Sequence, residues 1–274
     1  MAMRSLDKRV AVVTGAASGI GRATAQALAA KGCHLAIADI DETGLAQTAR
    51  TITGLGLGRE LSTHLVDVAD KQRMQAFVDE VIAAHGRAHI VVNNAGVTTT
   101  AKLEEHSLED FEWVVGINFW GVVYGCKFFL PHLQAAGWGA FVNISSLFGL
   151  TGVPKQSSYC ATKFAVRGFS ESLAIELANE NIDVLSVHPG GIRTNIVRAS
   201  RGSAGARQRT IEWFERNAMP PERAAAKIVT AIERRRQRVL ITREAYVADL
   251  LKRLYPPVPR RIVSLIARRT KLMD

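Results

Sequence analysis

A phenol and an amine stand four residues apart at Tyr159 and Lys163, at the start of a stretch that reads as a helix from Tyr159 to Asn179. That spacing puts both side chains on one face, about one turn apart. A tyrosine hydroxyl can donate a proton to a developing alkoxide or accept one from an alcohol, but its ordinary pKa of ~10 makes it a poor base at neutral pH. Lowering that value by ~3 units takes about 4 kcal/mol, which one ammonium at roughly 4 Å supplies in a medium of intermediate dielectric. The pair is therefore competent for proton transfer at an oxygen. The competing reading is structural: a packed ring beside a surface lysine.

Other polar residues sit where apolar segments stop. Ser145 and Ser146 follow the strand pattern Ala140 to Ile144. A hydroxyl at Ser146 could hydrogen-bond a substrate oxygen and stabilise charge growing there, while Ser145 reads as a backbone or supporting group. Asn118 interrupts the apolar run Val114 to Phe129, where a buried amide needs partners. Thr14-Gly15-Ala16-Ala17-Ser18-Gly19-Ile20-Gly21 lies between a strand and a helix. Its glycines permit a tight turn whose N–H groups can approach a pyrophosphate at the positive helix end. Arg22 is a candidate pyrophosphate neighbour. Asp39 closes the second strand, where a carboxylate can accept from two ribose hydroxyls and repel a 2′-phosphate, favouring NAD. In Asn93-Asn94-Ala95-Gly96, Ala95 and Gly96 leave room for close approach, and Asn93 or Asn94 can brace neighbouring strands.

In chain order, the glycine loop, Asn93-Asn94-Ala95-Gly96, Asn118, Ser146 with Tyr159-x-x-x-Lys163, and Pro189-Gly190 followed by Thr194 resemble the short-chain dehydrogenase/reductase family over about residues 8 to 195. The resemblance implies a catalytic tetrad of Asn118, Ser146, Tyr159 and Lys163. It assigns Ser146 to the substrate oxygen, Lys163 also to the nicotinamide ribose, and Asn118 to a water that completes a proton relay from Lys163. For NAD it implies contacts from Gly15, Ser18, Gly19, Ile20, Gly21 and Asp39, and from Asp67 and Val68 beside adenine. Asn94, Ala95 and Gly96, whose segment resembles the family's adenine-pocket and sheet-support motif, and Tyr159, Lys163, Pro189, Gly190, the Ile192 backbone and the Thr194 hydroxyl complete that set, with Asn94 read as scaffold before ligand and Asp67 retaining a turn reading. Ser18 stands where a basic residue would have supported phosphate recognition, which strengthens the NAD reading.

By the same resemblance, residues 195–219 form a substrate lid. Ile196, Val197, Ile211, Trp213, Phe214 and Met219 are candidate pocket residues, with Leu147, Phe148, Val153 and Tyr124 beside them; each could equally be core. The implied activity is NAD-dependent hydride transfer between a hydrophobic secondary alcohol and its ketone. A non-catalytic NAD-binding scaffold or sensor is the alternative.

These residues need a frame. Strand patterns at Val10 to Val13, Leu35 to Ala38, Leu61 to Val66, Ile90 to Asn93, Ala140 to Ile144 and Asp183 to His188 alternate with helical ones. Repeated βα units predict an α/β fold, a doubly wound parallel sheet of Rossmann-like type, as one domain over residues 1–274. Asp70 reads as the cap of a helix to His85, and Asp110 to Phe129 as a helix stopped by Pro131. Gly54, Gly56 and Gly58 mark a turn. Ala224, Ala225, Ile228, Val229 and Ile232 share the face of a packed helix, Val239 to Thr242 is a last strand, and Tyr246 to Tyr255 and Arg260 to Lys271 are two short helices.

The 274 residues are 47% hydrophobic with a net charge of +10, a globular composition. Residues 1–192 hold 15 basic and 18 acidic groups, and residues 193–274 hold 20 and 7, so the charge lies in the tail. With no finger or recognition-helix pattern, that charge alone does not support nucleic-acid binding. Cys33, Cys126 and Cys160 lack CxxC spacing, and the isolated histidines imply no metal site. No uninterrupted apolar run approaches a membrane span, so a cytoplasmic location is expected. Residues 243–274 form a basic extension in place of the family's glycine-rich hydrophobic tail. That departure favours a homodimer, through the Asn118 and Tyr159 helices, over a tetramer. Arg260, Arg261, Arg268 and Arg269 bracket an apolar stripe, which reads as intramolecular packing, a pocket cover or peripheral membrane contact.

Overall fold

Every residue of strand β1 (Val10–Thr14) is buried, as in a strand covered on both faces. In the computed structural model, which describes residues 3–196, 200–202, 218–257 and 261–265, β1 lies inside a seven-stranded sheet of order β3-β2-β1-β4-β6-β7-β9. The other strands are β2 (His34–Asp39), β3 (Leu61–Leu65), β4 (Ile90–Asn93), β6 (Gly139–Ile144), β7 (Ile182–His188) and β9 (Arg238–Leu240). All pairings in this sheet are parallel. The short strands β5 (Thr99–Thr100) and β8 (Arg201–Gly202) pair separately.

Side-chain alternation along the strands feeds two cores. Ala11, Val13, Leu35, Ile37, Val92 and Val142 face one side, against α1 (Gly19–Ala30), α2 (Glu42–Gly54) and α7 (Pro221–Glu233). Val12, Ala36, Val91, Phe141 and Val184 face the other, against α3 (Lys71–His85), α5 (Gly121–Ala135) and α6 (Ser157–Glu176). Burial on both faces is why these strands read as apolar runs rather than alternating ones. The chain leaves β1 for β2 on one side and returns through β4 on the other, so a crevice opens at the carboxyl ends of β1 and β4.

Three expectations need correction. Pro131 does not stop its helix; α5 continues to Ala135. An interior proline costs about 3 kcal/mol, and burial of Phe129 and Leu133 on either side of it holds the helix together. The expected single helix from Asp110 begins at Leu108 as α4 (Leu108–Val115), and a π-turn at Gly116–Trp120 joins it to α5. By length and composition this joined run is apolar enough to cross a membrane, yet Val122, Cys126, Phe129 and Leu133 pack in the core. The last strand ends at Leu240, and helix α8 (Arg243–Leu254) starts ahead of Tyr246. Asp70 does cap α3, accepting from Gln72 N and Arg73 N.

Candidate active site

The glycine loop is bound tightly on itself. Gly15 and Gly19 have φ of 64° and 54°, in the left-handed region. A Cβ on Gly21 would overlap the Gly15 carbonyl oxygen, and one on Gly19 would press on Thr194. Ser18 is the N-cap of α1 in extended conformation, without a side-chain cap bond. The Asn94 amide donates to the carbonyls of Thr14 (2.9 Å) and Gly15 (3.1 Å), and Thr14 Oγ1 accepts from Asn94 N and Ala95 N. Asn94 thus ties the end of β4 to the end of β1.

Asp39 sits over the same loop, its Oδ2 accepting from Ala17 N at 2.8 Å and its Oδ1 from Asp41 N at 3.1 Å. Asp41 caps α2 through Gly44 N. The Arg22 guanidinium is spent on the carbonyls of Ala17 and Gly44 and on Thr48, bracing the loop against α2. Asp67 is exposed and turns back to Ala69 N at 2.9 Å, while the Val68 side chain packs against Gly121.

At the next strand ends the catalytic candidates converge. Ser146 follows β6 and caps the short 3-10 turn Leu147–Gly149, accepting from Phe148 N at 3.1 Å. Its hydroxyl lies close enough to the Tyr159 phenol to lower that group's pKa. Lys163, 3% exposed, donates from Nζ to Ile144 O at 2.9 Å and lies 5.6 Å from the Tyr159 ring centre. Ser145 Oγ binds the Lys163 carbonyl at 2.7 Å, which is the supporting role expected of it. Asn118 sits within the π-turn, a widened turn that recurs at functional positions. Its amide accepts from Val97 N (2.8 Å) and donates to Val97 O (2.9 Å) and Thr162 Oγ1 (3.2 Å). Asn118 Oδ1 and Lys163 Nζ both close on Gly96.

Burial dominates the electrostatics here. It pushes the Tyr159 phenol up to about 12, a rise that Ser146 only partly offsets. It pushes Lys163 down to about 8. The expected lowering of the phenol by Lys163 therefore does not prevail in the protein alone: removal from water outweighs a cation held by Ile144 O. An acid and a near-neutral amine are thereby poised side by side.

The nicotinamide-end candidates share one loop. Pro189 O accepts from Leu147 N at 2.7 Å, and Ile192 bridges to Met219. Glu244, from α8, binds Gly191 N at 3.1 Å and abuts Gly190. Of the pocket candidates, Phe148 packs edge-on against Tyr159 at 6.1 Å. Tyr124 instead stacks between Trp120 and Phe128 along α5. Ile196 and Met219 are half-buried; Val197, Ile211, Trp213 and Phe214 lie outside the described residues.

Three contributors carried no motif: Glu244, Lys252, which donates to Leu150 O, and His188. His188 ends β7, its Nδ1 on Ser146 O at 3.2 Å and its Nε2 on Ser186 Oγ at 3.0 Å. A lone histidine closing an apolar strand was the available signal. Burial lowers His188 and His89 to about 4 each. Their folded values lie below the unfolded ~6.5, so the unfolded chain takes protons first as pH falls. Stability should be complete above that value and fall through the window down to pH ~4, by up to about 3 kcal/mol per histidine. Urea unfolding at a series of pH values checks this, and His188→Asn should flatten the acid limb; a stability independent of pH would contradict it.

The short chain dehydrogenase family model matches residues 9–204. The chain belongs to the short-chain dehydrogenase family. Among relatives, SadH of Mycobacterium tuberculosis, named as an oxidoreductase, is 43% identical over 96% of both chains. A cyclohexanol dehydrogenase of an Acinetobacter species is 34% identical over 70% of this chain and 76% of its own. A crystal structure of a short-chain dehydrogenase/reductase from Burkholderia phymatum in complex with NAD superposes with a TM-score of 0.87, at 30% identity over 93% of this chain and 96% of that one. This short-chain dehydrogenase is thus an oxidoreductase on a Rossmann-like frame.

Proposed function

We propose that the protein transfers hydride between NAD and a hydrophobic secondary alcohol or its ketone. The observation that carries this reading is the Ser146–Tyr159 hydroxyl pair beside a desolvated Lys163, at the crevice of a parallel sheet. The crevice suits a dinucleotide: the turn at Gly15, Gly19 and Gly21 leaves no room for side chains, and the Asp39 carboxylate stands beyond it. Gly15, Ser18, Gly19, Ile20 and Gly21 would hold the pyrophosphate, Asp39 the adenosine ribose, and Asp67 and Val68 the adenine side. Pro189, Gly190, Ile192 and Thr194 would enclose the nicotinamide half, while Ala95 and Gly96 would allow the cofactor's close approach, with Asn94 as their brace. When bound, NAD supplies the hydride acceptor.

The chain's own residues handle the proton. Ser146 donates a hydrogen bond to the substrate oxygen and orients it toward Tyr159. In oxidation Tyr159 takes the hydroxyl proton; in reduction it gives a proton to the forming alkoxide. Lys163 lowers the cost of the phenolate and binds the ribose, and Asn118 fixes the Val97 backbone beside Gly96, where a water linked to Lys163 carries the proton onward. Phe148 gives the pocket an apolar wall. The named activity of the Acinetobacter relative supports an alicyclic alcohol, and the Burkholderia complex supports NAD.

NADH formation from NAD with a panel of hydrophobic secondary alcohols tests this reading; no turnover with any of them while NAD still binds would favour a binding-only protein. Asp39→Asn keeps an acceptor for Ala17 N and removes the charge. It should raise the KM for NAD about tenfold, the loss expected for charged hydrogen bonds, and lower that for NADP. Unchanged steady-state constants for both cofactors would remove Asp39 from the ribose. The reading includes a homodimer through α5 and α6, supported by exposed Trp120 stacked on Tyr124; sedimentation at monomer mass would overturn that part.

A further inference from the structure

Helix α8 carries an apolar stripe on its exposed side. Three of its polar side chains bond back to the body of the protein: Glu244 to Gly191 N, Asp249 to Arg238, and Lys252 to Leu150 O and over the Phe164 ring at 4.5 Å. Its apolar side chains Tyr246, Val247, Leu250 and Leu254 turn outward, with Leu250 57% and Leu254 72% exposed. Their spacing makes one stripe along the helix. Exposed Ile262 and Leu265 add further apolar surface in the segment beyond.

The stripe is edged by cations. Arg243, Arg253 and Arg261 are exposed, Arg253 while also paired through Nε with Asp249 at 3.2 Å. In the sequence, residues 243–274 hold eight Lys or Arg against three Asp or Glu, and two of those three acids, Glu244 and Asp249, are bonded to Gly191 N and to Arg238. An apolar stripe with a cationic border matches the chemistry of an anionic bilayer surface, where acyl chains receive the stripe and headgroups neutralise the border. A second copy is a poorer occupant, because a two-fold contact would set the same arginines against one another.

We propose that α8 docks the protein on an anionic lipid bilayer. Through Glu244 and Lys252 the docked helix is joined to the Gly190-Gly191 loop and to the turn after Ser146, so the site would open beside the lipid phase, where hydrophobic alcohols concentrate. The docking itself is independent of the redox reading, because it is measured without turnover.

The test uses the full chain with vesicles of phosphatidylcholine, alone or mixed with phosphatidylserine. The protein should co-sediment with the mixed vesicles, not with phosphatidylcholine alone, and be released by about 0.5 M salt. Leu250→Asp combined with Leu254→Ser should weaken partition at least about tenfold, and Arg253→Gln about fivefold. The leucine variant should keep native circular dichroism and NAD binding, since neither side chain reaches the site. Failure to bind mixed vesicles would overturn the proposal, as would equal binding by the leucine variant. So would dissociation of a multimer by that variant with vesicle binding unchanged, which would assign the stripe to a contact between copies.

Discussion

Tyr159→Phe is expected to lower kcat about 1000-fold, within the range for loss of a positioned acid or base, while NAD affinity stays within about twofold. Only an oxygen is removed. The ring keeps its edge-on contact with Phe148, and Ser146 Oγ keeps the Phe148 N–H that it accepts, so the fold should persist. Steady-state rates beside a cofactor fluorescence titration separate the two quantities. Because burial holds the phenol near 12 without ligand, oxidation by the native enzyme should rise with pH and ketone reduction should fall. A variant with native rates would return Tyr159 to a packing role.

Lys163→Met should also cost about 1000-fold in kcat, and in addition change how stability depends on pH. Lys163 is lowered from 10.5 to about 8 in the folded chain. Between those values the unfolded chain binds the extra proton, so the contribution of Lys163 to native stability should rise as pH goes from ~8 toward ~10.5, by about 3 kcal/mol in total. Tyr159 from about 10, and the buried Cys33 and Cys126 thiols from about 9, are each raised to about 12 and act in the opposite direction, so the lysine's contribution is read as a difference between native protein and variant. Denaturant titrations at pH 8, 9 and 10 should show the native protein gaining stability relative to Lys163→Met as pH rises, the cysteine and tyrosine contributions being common to both. A variant with the native pH dependence and the native activity would contradict the buried-ammonium assignment.

The features legible in the sequence were those set by local period. Val10 to Val13 and Ile90 to Val92 read as doubly covered strands because both their faces are buried. The glycine turn and the four-residue step from Tyr159 to Lys163 needed only a strand before and a helix around them. Features fixed by distant contacts were not legible. Arg22 looked like a phosphate ligand until α2 supplied Thr48 and Gly44 O as partners. Glu244 reaches Gly191 across 53 positions and Lys252 reaches Leu150 across 102, so neither had a local signature. Pro131 was misread because core packing on α5 overrides local helix-breaking preference, and the π-turn at Asn118 had no signature in the apolar run around it. The direction of the Tyr159 shift followed from burial, which spacing does not report.

The most direct measurement is mass spectrometry of the reduced cofactor after turnover of cyclohexanol deuterated at its carbinol carbon, with the native protein and NAD. Hydride transfer at this site predicts one deuterium in the reduced nicotinamide for each ketone formed, with Tyr159→Phe about 1000-fold slower. Ketone without labelled cofactor, or equal rates for the two proteins, would contradict it.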